Sequence, residues 1–125
     1  MKYSHSGFLD FSNDNYIYII AEIGINHNGS LDNAIKLIDM AKKAGCDAVK
    51  FQKRTIEIVY NSDELKKPRK SPWGETQEEQ KKGIEFGLEE YNKINDYCKK
   101  IDIDWFASSW DTNSQIIMRK YNFKF

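Results

Sequence analysis

Apolar positions in this chain follow two rhythms that alternate. Tyr16 to Ile23 is an apolar run with four isoleucines, interrupted only by Glu22. It is short enough for a strand buried on both faces. Leu31, Ala34, Leu37, Ile38 and Ala41 then recur at helical spacing. Ser30 stands where an N-cap oxygen belongs, and Gly45 follows Lys42-Lys43-Ala44 as a stop. Asp47 to Gln52 predicts a second strand. A strand, helix and strand in this order predict a parallel pair joined by a crossover.

The rhythm breaks over residues 54–76, where Pro68, Pro72 and Gly74 predict a long loop. Loops of that length usually serve as lids or binding segments. Thr76-Gln77-Glu78-Glu79 forms a capping-box pattern. It opens a helical region through Lys100, broken near Gly87, with Ile84, Leu88, Tyr91, Ile94 or Asn95, and Cys98 on one face. Ile103 to Ser109 predicts a third strand. Asp111 can cap a last helix whose apolar side is Ile116, Ile117 and Tyr121. Phe123 to Phe125 reads as the start of a fourth strand. Residues 1–15 are polar and mixed, a lead-in or short hairpin.

Composition narrows the partners. The chain has 125 residues, with 19 basic and 19 acidic side chains, so no net field favours nucleic acid or an anionic membrane. The Lys66 to Lys70 cluster reads as a solvated loop. Cys46 and Cys98 lack metal or redox spacing and read as buried free thiols of a reducing compartment. No apolar run reaches the ~20 residues of a membrane span. Met1 to Asp10 lacks a signal-peptide layout. A cytoplasmic protein is expected.

The candidate chemistry lies at the strand ends. Ala21 to Ser30 takes the first strand through a carboxylate and an amide-rich turn into a helix start. That is the mouth of a parallel sheet, where α/β enzymes bind small molecules. The second strand ends similarly, with Lys50 and Gln52. Alternation puts Ala48, Lys50 and Gln52 on one face, and Val49 and Phe51 on the other, toward the helices. Glu22 and Lys50 can be read as a mere ion pair, since neither charge is stable buried alone. Their place at the catalytic end of the strands favours function. His27 reads as a turn histidine bonded to backbone, because no second ligand stands at metal-binding spacing. Asn26, Asn28 and Gly29 read as turn formers. Ser108 and Ser109 are candidates to line the site, and Asp111 reads as an N-cap. Trp73 is either a lid aromatic or a loop anchor.

Four blocks carry a resemblance: Glu22-Ile23-Gly24-Ile25-Asn26-His27-Asn28-Gly29, Ala44-Gly45-Cys46-Asp47-Ala48-Val49-Lys50-Phe51-Gln52, Ser71-Pro72-Trp73-Gly74-Glu75-Thr76 and Trp105-Phe106-Ala107-Ser108-Ser109-Trp110-Asp111. From about Tyr16 onward the chain resembles the sialic acid synthase (N-acetylneuraminate synthase) family. The resemblance implies an α/β fold, a partial (β/α)8 barrel in which residues 16–125 form about the first three β/α units. It implies a transferase that condenses phosphoenolpyruvate with N-acetylmannosamine or a related N-acetylated hexosamine. The product is an N-acetylneuraminate-type nine-carbon 2-keto acid of surface carbohydrate biosynthesis. Lys50 would bind the phosphoenolpyruvate anion, and Glu22 and Gln52 the amino sugar. Glu22 would also stabilise positive charge on the reacting carbons. A divalent metal (Mn²⁺ or Mg²⁺) and a homodimer are implied for full-length members. The family's strand 4 Lys and Ser, its metal histidines and an antifreeze-like domain fall after the fourth strand begins, so no metal ligand is expected here. A complete barrel needs ~200 residues, so the chain alone is expected to be inactive. Legionaminic or pseudaminic acid synthases share the blocks. A non-catalytic remnant or interaction module is the reading from another class.

Overall fold

A computed structural model describes residues 17–124, so the expected lead-in over 1–15 lies outside the described residues. Three parallel strands form the sheet: β1 (Ile20–Gly24), β2 (Ala48–Lys53) and β5 (Asp104–Ser109). They lie in sequence order, with β2 between β1 and β5. The register pairs Glu22 with Lys50, and Gln52 with Ser108. The expected parallel order is thus observed, with the first strand beginning at Ile20 and residues 17–19 outside it.

Helix α1 (Leu31–Lys43) starts where Ser30 Oγ accepts from the Asn33 amide. It ends at Ala44, with Gly45 in the left-handed region. Helix α5 (Leu88–Ile101) is the second large crossover. Both pack on one side of the sheet. Ile23, Val49, Phe51, Trp105 and Ala107 meet Ala34, Ile38, Ala41, Tyr91, Ile94 and Cys98 in one core. Val49 and Phe51 are fully buried there, as strand alternation requires. Burial, and secondarily Asp104, pushes the Cys98 thiol up to about 12, so it stays a neutral core group.

Several expectations need correction. The first strand is buried on one face only, and Ile20 is 43% exposed, because β1 is an outer strand. Residues 54–76 are ordered rather than a structureless loop. They hold α2 (Ile56–Val59), α3 (Ser62–Leu65) and a hairpin of β3 (Pro68–Ser71) with β4 (Gly74–Thr76). The Lys66 to Lys70 cluster thus runs into a strand. Pro, Arg and Lys on a short exposed strand are a common protection against edge pairing. The Thr76–Glu79 capping box is present, and it opens α4 (Gln77–Ile84). Leu88 is 47% exposed, because it opens a new helix after the break rather than continuing the face of Ile84. Asp111 caps α6 (Thr112–Met118). Ile117 and Tyr121 pack against the core as expected, Ser114 and Met118 are buried with them, and only Ile116 of the expected apolar side is exposed. Residues 122–124 form no strand. Phe123 lies edge-on against Trp105 instead, with ring centres 4.7 Å apart.

Candidate functional site

Glu22, Lys50 and Gln52 occupy the face of the sheet opposite the helices, toward the C-terminal ends of β1 and β2. Lys50 Nζ pairs with Glu22 Oε2, and the two side chains are 29% and 49% exposed. At that exposure the pair adds little to stability, since water screens it. It is accessible to a ligand. Between Glu22 and Gly24 the register slips, and Gly24 adopts φ +55°. A Cβ placed on Gly24 would sit 3.2 Å from both Glu22 Oε1 and Gln52 Nε2. The carboxylate acceptor and the amide donor therefore converge on the space that glycine leaves open.

Ser109 is not brought to this group. It pairs with Lys53, and alternation puts it on the side of Trp105 and Ala107, while Ser108 shares the side of Gln52. The Ser109 hydroxyl is buried and has no hydrogen-bond partner among the described residues.

His27 is 2% exposed in the turn after β1. Its Nδ1 accepts from the Gly29 amide at 3.1 Å, and its ring stacks on Phe86 at 3.8 Å. Burial, and then the charge of Arg54, lowers its pKa to about 4. It is the backbone-bonded turn histidine that its context implies. Trp73 lies on Gly83 so closely that a Cβ there would sit 2.1 Å from its ring. That makes it an anchor for the hairpin.

Just beyond Gln52 lies a second group that sequence reasoning missed. Glu85, between α4 and α5, accepts from the Arg54 amide at 2.9 Å, Arg54 Nε at 3.1 Å and Lys53 Nζ at 3.3 Å. Lys53 and Arg54 are both buried. From α5, the Tyr91 hydroxyl donates to the Gln52 carbonyl at 2.7 Å. Burial first, and then Glu85, raises the Tyr91 pKa well above its ordinary value, keeping it a donor. Asp111 accepts from the Thr55 and Ser114 amides and from both their hydroxyls. Its burial would raise its pKa, but these bonds outweigh burial and hold it near about 2. The one sequence signal for Glu85 was its position in a break between two helical patterns.

The NeuB family model matches residues 37–125 of the chain. The chain belongs to the NeuB family. N-acetylneuraminate-9-phosphate synthase of Homo sapiens is 38% identical over 110 residues, 86% of this chain and 31% of that protein. N,N'-diacetyllegionaminic acid synthase of Legionella pneumophila is 33% identical over 100 residues, 78% of this chain and 28% of that protein. The solved N-acetylneuraminic acid (sialic acid) synthetase of Leptospira borgpetersenii, in complex with citrate, matches with a TM-score of 0.70. It is 28% identical and covers 87% of this chain and 34% of its own. This NeuB chain thus spans roughly a third of the length of the relatives it matches. Its fold is the corresponding part of a (β/α)8-type barrel, and the three proteins compared above are sugar-acid synthases. Among the described residues no helix is long and apolar enough to cross a membrane.

Proposed function

We propose that Glu22, Lys50 and Gln52 serve a synthase that condenses phosphoenolpyruvate with an N-acetylated hexosamine such as N-acetylmannosamine. One water is consumed at the phosphate-bearing carbon, whose C–O bond to phosphate then breaks, and the products are an N-acetylneuraminate-type 2-keto acid and phosphate. One observation carries this reading: a cation, a carboxylate and an amide meet at adjacent strand ends in a NeuB chain. In this proposal Lys50 leaves Glu22 to bind the phosphoenolpyruvate anion. Glu22 then faces the positive charge that develops as the enol carbon attacks the sugar aldehyde, a preorganised stabilisation that strengthens once water is excluded. Gln52 donates to the sugar through Nε2. Ser109 has no part in it, given its place on the other side of β5.

We further propose a cytoplasmic setting and a homodimer for the complete enzyme. The divalent ion implied by the family does not fit the residues present. No group of three His, Cys, Asp or Glu among the described residues could hold it, and His27 Nδ1 is already engaged by Gly29.

Equilibrium binding of phosphoenolpyruvate to the chain tests the reading. Binding that Lys50→Ala abolishes and Lys93→Ala preserves supports it. No binding, or equal binding by both variants, overturns it. The Legionella relative favours one variation, a diacetylated amino sugar in place of N-acetylmannosamine. Competition between the two sugars for the phosphoenolpyruvate-loaded chain separates these outcomes.

A further inference from the structure

We infer that Glu85 is a positioning residue for Glu22, Lys50 and Gln52, an inference that rests on the function proposed above for that site. The argument starts from charge. Lys53 and Arg54 follow Gln52 directly and turn into the interior, where their side chains are 11% and 5% exposed. Two adjacent buried cations repel one another and lose hydration, so they need an anion close by. Glu85, itself 10% exposed, bonds to both side chains. It also bonds to the Arg54 backbone amide, and that contact fixes the main chain as well as the charges. The chain leaving β2 is therefore held at Arg54, two residues beyond Gln52 and four beyond Lys50.

The same short segment reaches the other half of the site. Phe86, next to Glu85, stacks on His27 in the turn that follows β1. Gly83 presents its carbonyl so close to Gly29 that a Cβ there would sit 2.3 Å away. Residues 83–86 thus touch the exit of β1, which carries Glu22, and the exit of β2, which carries Lys50 and Gln52. Glu85 bonds to Lys53 and Arg54 and not to Glu22, Lys50 or Gln52, so it acts on them through this clamp. Loss of its charge leaves two buried cations uncompensated. The end of β2 then shifts toward water, and the Lys50–Glu22 pairing loosens with it.

Competitive amine labelling of the chain with acetic anhydride, resolved lysine by lysine by mass spectrometry without substrate, tests the inference. In Glu85→Ala the labelling rate of Lys50 rises severalfold, while that of Lys93, exposed and paired with Glu89, stays constant. Glu85→Gln retains an oxygen for the Arg54 amide and drops the charge. It gives an intermediate rise and serves where the alanine variant fails to fold. Affinity for phosphoenolpyruvate falls about tenfold in Glu85→Gln, the scale expected for loss of one charged buried bond. The inference is overturned if Lys53 alone becomes reactive and Lys50 does not. It is equally overturned if all lysines accelerate together, which marks general loosening. Labelling needs no substrate, so a chain that fails to bind phosphoenolpyruvate defeats the functional reading and leaves this result standing.

Discussion

His27 shows how much of a residue's behaviour is set by its surroundings. As a sequence feature it was a histidine in an amide-rich turn, and that context correctly implied a backbone-bonded side chain. Its stacking on Phe86 and its nearness to Arg54 were invisible, because both partners come from distant parts of the chain. The pH consequence has a definite sign. The folded-state pKa of about 4 lies below the ordinary 6.5, so the folded chain resists protonation that the unfolded chain accepts. The stability this histidine supports is therefore fully present above pH 6.5 and is lost as pH falls toward 4. The full loss is about 3 kcal/mol. Denaturant titrations of the chain and of His27→Asn across this interval should diverge, with the wild type falling more steeply. Parallel curves would show that His27 does not titrate as its burial requires. Lys50 and Gln52 illustrate the opposite case. Strand alternation alone put Lys50 and Gln52 on one face, while the register that sets Glu22 opposite Lys50 is a finding of the structure.

At the scale of elements, the periodic segments were legible and the insertion was not. The strands and large helices announce themselves by period and caps, with Ser30, Thr76 and Asp111 all acting at helix starts. Residues 54–76 carry no such rhythm, because α2 and α3 are single turns and the hairpin strands are too short to alternate. What orders them is tertiary: Lys82 of α4 pairs with Glu57 of α2 at 2.7 Å, and Trp73 covers Gly83. Glu85 was missed for the same reason, since its partners lie some thirty residues upstream. Gly83 is the point where this packing can be tested. A methyl there would overlap the Trp73 ring, 2.1 Å from its Cγ, and a ring wedged against helix backbone has little room to yield. Gly83→Ala should cost about 1–3 kcal/mol, the usual scale of overpacking. It should also free the hairpin, so that trypsin cuts within residues 66–70 at a higher rate. Unchanged cleavage and unchanged stability would mean that Trp73 is not the anchor of the insertion.

For the whole molecule, the consequential feature is the asymmetry of the sheet. One face is closed by α1 and α5, and the other, which carries Glu22, Lys50 and Gln52, is partly open. Within the described residues β1 and β5 are the two end strands of the sheet. Ile17 and Ile19 precede β1 at 79% and 51% exposure, and Ile20 within it is 43% exposed. Exposed apolar side chains clustered on an end strand favour contact between copies. The chain should therefore associate as concentration rises, with sedimentation showing species beyond the monomer on the order of 100 μM, within the range where exposed apolar surface acts. Ile20→Lys places a charge on the exposed face of β1 and should move association to higher concentration. A strictly monomeric chain, or association indifferent to Ile20→Lys, would show that this edge is not the contact. The outcome bears directly on the site. Copies that meet along β1 would crowd Glu22 and Lys50, so ligand binding should weaken as the chain is concentrated, and Ile20→Lys should restore it.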